Sequence, residues 1–228
     1  MNRILYKMLL PLVVLVCTSS MAADILKSAE VSVEYEISIS EQMQSLISAV
    51  SNEEKATLNN NIGMLLYSSG KIEEAYVFFD IAHTLLANTK CSKDLAIAKS
   101  RLSLIDCQRG ETLPYDTKLT EALFCARELK DDYIESEVLL YQGREYLHNG
   151  NYSEAFGFFF KARELKEITK DKTGLLEAYL DIADALTRIG QHSEARVNLQ
   201  DALKLNSEVG NNHLLAKIYN LLAVNYLK

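Results

Sequence analysis

The apolar residues of this chain recur at helical spacing, every three or four positions. One helix is predicted between residues 56 and 69, because four apolar side chains share a face: Leu58, Ile62, Leu65 and Leu66. Gly70 ends this pattern, where a left-handed residue needs no Cβ. A second helix follows between residues 73 and 86, with its own shared face: Ala75, Phe79, Ala82 and Leu86. Together these segments predict an antiparallel helical hairpin.

The hairpin pattern returns with a period of 40 residues. The motif Gly-x-x-x-Glu-Ala at Gly70 reappears at Gly150 and Gly190, and a glycine also stands at position 110. Small residues facing large ones let the two helices approach closely, and stacked hairpins bury the faces that one hairpin leaves open. The repeated structural positions are Gly63, Gly70, Ala75, Phe79, Ala82, Gly110, Ala122, Gly143, Gly150, Ala155, Phe159, Ala162, Ala183, Gly190, Ala195, Leu199 and Ala202. Units are predicted to start near residues 56, 96, 136 and 176, with a half unit from 216.

These columns resemble the tetratricopeptide repeat (TPR): a small residue in the first helix, a glycine at the turn, Glu-Ala, a large apolar residue and a further alanine. The usual TPR unit has about 34 residues, so this chain resembles a longer-helix variant. The resemblance covers residues 56–228. It implies an all-α fold, an α-α superhelix that is a right-handed solenoid of antiparallel hairpins.

In TPR proteins the first helices line a concave face that binds a protein or peptide partner. The resemblance places the candidate partner-binding residues at Asn60, Met64, Tyr67, Leu104, Leu140, Arg144, Leu147, His148, Leu180, Asp184 and Arg188. Arg144 and Arg188 are the candidates to meet an acidic partner group. The Lys/Asn clamp of chaperone-binding members is absent, because Asn60, Met64 and Ser100 occupy its positions.

The N-terminus has the order of a secretory signal. A short basic segment with Arg3 and Lys7 precedes an apolar run from Met8 to Val16, and small residues follow up to Ala23. Residues 1–22 are therefore predicted to be a signal peptide, and the mature chain to be periplasmic or secreted. A lipoprotein anchor at Cys17 is disfavoured, because the bulky Val16 precedes it.

Residues 23–55 are predicted to form an N-terminal segment with a capping helix. Its apolar face carries Met43, Leu46, Ile47 and Val50, and Ser38 with Glu41 is a candidate capping box.

Composition narrows the function classes. The formal net charge of −7 disfavours nucleic acid and direct binding of anionic membranes by the mature repeats. The four histidines do not pair with one another or with cysteines at metal-ligand spacing. The glycines serve turns rather than a phosphate loop, and no nucleophile elbow occurs. The sequence therefore predicts a non-enzymatic protein without a catalytic site, cofactor or metal.

Three cysteines follow the leader: Cys91, Cys107 and Cys125. Export would permit a disulfide. Cys107 and Cys125 are predicted to lie about 15 Å apart along their hairpin, too far for a bond. Cys91 and Cys125 are predicted at the same end of that hairpin, and whether they pair is left open.

The last segment, Leu214–Leu227, repeats a first helix and is apolar nearly all round. This pattern is typical of a buried helix. We expect self-association or a further stretch of chain to cover residues 214–228. Two functions follow: an exported, non-enzymatic interaction module, or the periplasmic sensory region of a longer membrane-bound signalling enzyme, a diguanylate cyclase or histidine kinase.

Overall fold

The computed structural model describes residues 35–110 and 117–227. Within them the chain forms ten α-helices and no strand, which confirms the all-α fold class. The predicted signal peptide, residues 1–22, lies outside the described residues. The chain divides into two compact units, Met1–Phe78 and Phe79–Lys228.

The first unit contains α1 (residues 35–48), α2 (Asn52–Ser68) and the start of α3 (Ile72–Leu85). Ser38 lies inside α1, so the expected capping box there is wrong. Two residues of the predicted apolar face are exposed: Ile47 in α1, and Val50, which follows α1.

The second unit holds the rest of α3 and seven further helices. These are α4 (Lys93–Arg109), α5 (Thr117–Leu129), α6 (Asp132–His148), α7 (Tyr152–Ile168), α8 (Lys172–Arg188), α9 (His192–Val209) and α10 (Asn212–Tyr226). Each helix packs on the next from α4 to α10. In addition, α4, α6, α8 and α10 contact one another in succession, whereas α5, α7 and α9 make no such mutual contacts within the described residues. We call the first set the A layer and the second the B layer.

Side-chain caps fix where the A-layer helices begin. Each cap residue accepts a hydrogen bond from the backbone N–H three positions on, which satisfies one of the free donors of the first turn. The caps are Ser92, Asp131, Asp171 and Asn211. The A helices therefore start about one turn before the positions that the apolar pattern predicts.

Glycines close the turns inside the hairpins. Gly70, Gly110, Gly150 and Gly190 all have positive φ, between 72° and 82°. This left-handed conformation is what the turn requires, and a Cβ would strain it. Lys130 and Lys170 also have positive φ, at the turns that lead from a B-layer helix to the next A-layer helix.

The hairpin core follows the repeated positions. Phe159 is fully buried, and a Cβ built on Gly143 would lie only 2.4 Å from its ring. The small residue in α6 therefore makes room for the large residue in α7. In the next hairpin, Ala183 and Leu199 belong to one buried cluster with Ala202, which also includes Leu214 and Ile218 of α10.

Candidate functional site

A ladder of charged side chains, together with one tyrosine, joins the A-layer helices. It consists of Arg101, Glu137, Tyr141, Arg144, Glu177 and Asp181. These residues lie where neighbouring A helices face each other, and most retain some exposure. We call this set the A-layer ladder. It is the main polar feature that links the three helices α4, α6 and α8.

Glu137 is the centre of the first half of the ladder. It accepts hydrogen bonds from Arg101 at 3.0 Å, from the Tyr141 hydroxyl at 2.8 Å and from Lys166 at 2.5 Å. Burial raises the pKa of this carboxyl, but the charges of Arg101 and Lys166 and the hydrogen bonds outweigh burial and hold the pKa at about 2. Glu137 is therefore an anion at any physiological pH.

Arg144 is the centre of the second half. Its Nε donates to Asp181 at 2.8 Å, and its other arm donates to Glu177 at 2.9 Å, so two carboxylates of α8 hold one guanidinium of α6. The pKa of Asp181 is raised to about 6, because burial and the negative charge of Glu177 outweigh the lowering effect of Arg144. One guanidinium does not fully offset two neighbouring carboxylates.

The Tyr141 ring connects the two halves. The guanidinium of Arg101 lies 4.9 Å from the ring centre and that of Arg144 lies 5.6 Å from it. Both distances are within the range of a cation–π contact. The ladder is therefore continuous from α4 to α8.

Lys166 was not found from the sequence, although it is fully buried in the structure. Its ammonium bridges Glu137 and Asp171, the latter at 3.0 Å. A Cβ on Gly174 would lie 2.2 Å from that ammonium, so the glycine keeps the space open. Burial lowers the pKa of Lys166, but the two carboxylates raise it above its ordinary value. The lysine thus ties the end of α7 to the start of α8.

The predicted partner-binding residues fall into two groups. Five are buried and present almost no surface: Asn60, Leu104, Leu140, Leu147 and Leu180. The other six keep accessible surface: Met64, Tyr67, Arg144, His148, Asp184 and Arg188. Leu180, for example, lies in the buried cluster that also contains Leu199 of α9 and Leu214 and Ile218 of α10. A contact between the accessible residues and a partner stays a prediction.

The two arginines expected to meet an acidic group already have carboxylate partners. Arg144 is held by Glu177 and Asp181, and Arg188 donates to Asp184 one turn before it at 3.1 Å. An acidic partner group would have to compete with these carboxylates. The face around α6 and α8 therefore carries three carboxylates for two guanidinium groups.

Cys91 and Cys125 form a disulfide, with Cα atoms 5.2 Å apart. The bond joins the segment before α4 to α5, at the end of the hairpin where the sequence places both residues. Cys107 is a free, buried thiol whose pKa is raised by burial and by the charge of Glu145. A thiol of this kind is a poor nucleophile.

The described residues contain no group of three or more His, Cys, Asp and Glu side chains placed to hold a metal ion. No helix within residues 35–110 and 117–227 is both long enough and apolar enough to span a membrane.

Solved structures share this fold. BtubC (BKLC) from P. vanneervenii is 16% identical, with a TM-score of 0.61, over 93% of this chain and 87% of that protein. A Rap protein complexed with Competence and Sporulation Factor is 17% identical, with a TM-score of 0.68, over 85% of this chain. A putative kinesin light chain with TPR-like repeats from Podosopora anserina is 13% identical, with a TM-score of 0.55, over 82% of this chain and 93% of that protein.

These likenesses show that the chain has a TPR-type fold. This chain spans 58% of the length of the Rap protein. No protein-family model matches the sequence, and no curated protein does.

Proposed function

We propose that this protein is an exported, non-enzymatic module that binds a protein or peptide segment across its A layer. The observation that carries the proposal is the A-layer ladder, a row of partly exposed charged side chains along successive helices. Such a row offers many weak, directional contacts to an elongated ligand. The Rap structure, solved with Competence and Sporulation Factor, supports a peptide as the kind of partner.

The charge of this face favours a partner with a basic side chain. Glu177, which pairs with Arg144, and Asp184, which pairs with Arg188, are the more exposed carboxylates, at 37% and 33%. A lysine or arginine of the partner would meet the carboxylate that the two guanidinium groups leave uncompensated. Electrostatic attraction of this type speeds association and weakens with salt.

Export is supported by two independent features. The N-terminal order of a basic segment, an apolar run and small residues is typical of a secretory signal. The Cys91–Cys125 disulfide suits an oxidising compartment such as the periplasm. We therefore place the protein in the periplasm or outside the cell.

Peptide selection with the purified, disulfide-bonded chain tests the proposal. Random peptides displayed on phage would be selected on the chain, and their affinities measured by calorimetry. Selected peptides should contain Lys or Arg. Glu177→Gln should weaken binding about tenfold, which corresponds to about 1.4 kcal/mol, and higher salt should weaken it further.

Glu164→Gln is the matched control, because Glu164 is an exposed residue of α7 in the B layer. It should leave the affinity unchanged. If both variants bind equally well, or if the selection yields only peptides that bind the B layer, the A layer is not the binding face and the proposal is wrong.

A further inference from the structure

One face of α10 is exposed although it is largely apolar. Its opposite face is buried through Leu214, Ile218 and Asn225. Six of its exposed residues recur at helical spacing and form one stripe, the terminal stripe: Ala216, Tyr219, Asn220, Ala223, Tyr226 and Leu227. Lys217 and Val224 of α10 are exposed as well. The aromatic and leucine side chains in the terminal stripe are between 55% and 86% exposed.

The terminal stripe continues an interface that is already formed elsewhere in the same unit. Two of the six residues of α8 that lie 40 positions earlier, Tyr179 and Thr187, are half-buried. The other four are buried: Leu176, Leu180, Ala183 and Leu186, at 0%, 6%, 0% and 8% exposure. Three of them share a core cluster with Leu199 and Ala202 of the following helix, α9. The stripe on α10 thus corresponds to the face of α8 that packs on α9. On α10 the described neighbouring helices leave this face exposed.

The stripe cannot turn inward, because polar contacts fix the C-terminal end of α10. Asn225 is fully buried; its amide donates to Thr187 at 2.7 Å, and its oxygen lies 2.8 Å from His192 Nδ1. Arg196 donates to the backbone oxygen of Asn225 at 2.7 Å. A surface held in this way is organised before binding, which lowers the entropic cost of association.

The order of large and small residues in the stripe is self-complementary. Two copies of α10 can run antiparallel with the two-fold axis crossing the stripe at the height of Leu221. In this arrangement Ala216 lies opposite Tyr226, and Tyr219 lies opposite Ala223. Both pairs then occur twice, and each tyrosine faces an alanine, so large side chains fill the gaps beside small ones.

Charge also permits this pairing. Among its described residues α10 has no acidic side chain, and Lys217 is its one lysine. In the antiparallel arrangement the two copies of Lys217 are separated by about 12 Å along the helix axis. At that distance the repulsion between exposed charges is largely screened in physiological salt.

We propose that the terminal stripe is a dimer interface, covered by the terminal stripe of a second copy of this chain in an antiparallel arrangement centred on Leu221. This dimer accounts for three features of α10 together: its apolar character, its fixed orientation and its alternation of alanine and tyrosine.

Paired cysteine variants of the full chain test both the interface and its register. In the proposed dimer, Ala216→Cys in one copy lies opposite Tyr226→Cys in the other. Two copies of the same variant place their cysteines about 15 Å apart along the axis, beyond the roughly 7 Å that a disulfide spans. The native thiols do not interfere, because Cys107 is buried and the other two cysteines are bonded.

We expect a mixture of the two variants to form a covalent dimer on oxidation, whereas each variant alone does not. Light scattering should give twice the monomer mass for the unmodified chain. Ala223→Arg should give monomers, because it places an arginine against Tyr219, and Gln200→Arg on exposed α9 should leave the dimer intact.

Three results would overturn the proposal. A chain that stays monomeric at its highest soluble concentration would show that a second copy does not cover the stripe. Cross-linking of Ala216→Cys with itself would exclude the register. A dimer that survives Ala223→Arg, with circular dichroism unchanged, would place the interface elsewhere.

Discussion

The contact between Gly143 and Phe159 gives the sharpest test of how the hairpins pack. A Cβ at Gly143 would lie 2.4 Å and 2.5 Å from two carbons of the Phe159 ring, whereas carbon atoms in contact prefer about 3.5–4.0 Å. The ring is fully buried, so it has no free space into which to move. Gly143→Ala therefore forces the two helices apart or the ring out of its rotamer.

The magnitude follows from two opposing effects. Overpacking of a core costs about 1–3 kcal/mol, and an overlap of about 1 Å with a buried ring belongs at the upper end. Alanine gains about 1 kcal/mol over glycine from helix propensity. We expect Gly143→Ala to lower the free energy of unfolding by about 2 kcal/mol, measured by urea denaturation.

A second substitution shows whether the ring is the cause. Phe159→Leu alone should cost about 1–2 kcal/mol, less than truncation to alanine. The double variant recreates the pair Ala183 and Leu199, which is fully buried in the next hairpin. Its loss should be smaller than the sum of the single losses by about 1–3 kcal/mol.

Gly157→Ala is the matched control, because Gly157 lies in α7 and a Cβ there meets nothing within 4 Å. It should raise stability by about 0.5–1 kcal/mol. Additive losses in the double variant, or a stabilising Gly143→Ala, would refute this packing argument.

Two further predictions concern the charged groups. The raised pKa of Asp181, about 6, means that the folded state keeps a proton that the unfolded state, with a pKa of about 3.9, releases first. This residue should therefore lower stability by about 2 kcal/mol as pH rises from 4 to 6, and Asp181→Asn should remove that contribution. Stability that falls equally with pH in the two proteins, as measured by urea denaturation, would contradict the prediction. Lys166→Met leaves Glu137 and Asp171 without their shared cation, so it should lower the free energy of unfolding by about 3–5 kcal/mol. The control Lys161→Met, on the exposed side of α7, should change it by less than about 0.5 kcal/mol. Equal effects of the two substitutions would exclude the buried bridge.

Local signals in the sequence were enough to predict the helical hairpins. Apolar spacing indicated the helices, and the left-handed turn at Gly70 followed from its place between two such patterns. The helix starts were predicted about one turn late, because the A-layer helices begin with polar residues such as Lys93, Asp94 and Asp132. The caps at Ser92 and Asp131 carry the missing signal, since their side chains hold the first free N–H groups.

The A-layer ladder and the buried lysine could not be predicted in the same way. Lys166 occupies a position where earlier units have Leu86 and Ala126, and nothing local distinguishes it from a surface lysine. Its partner Glu137 is 29 residues away on another helix. Such a pair depends on how helices are stacked, and apolar periodicity carries no information about it.

The same reason explains the buried leucines among the predicted binding residues. The family resemblance assigns positions to a helix face, but the degree to which neighbouring helices cover that face depends on their spacing. Leu140 in α6 is completely buried, whereas Arg188, at a different position of α8, is half exposed. The exposure of each position could therefore be determined only from the three-dimensional structure.

Hydrogen exchange of the chain with and without a selected peptide tests the central claim most directly, because it locates the binding face without substitution. If the A layer binds the partner, exchange should slow in α6 and α8, around Arg144 and Asp184, and remain unchanged in α7 and α9. Protection confined to α7 and α9, or protection that does not change when Glu177→Gln weakens binding, would contradict the account.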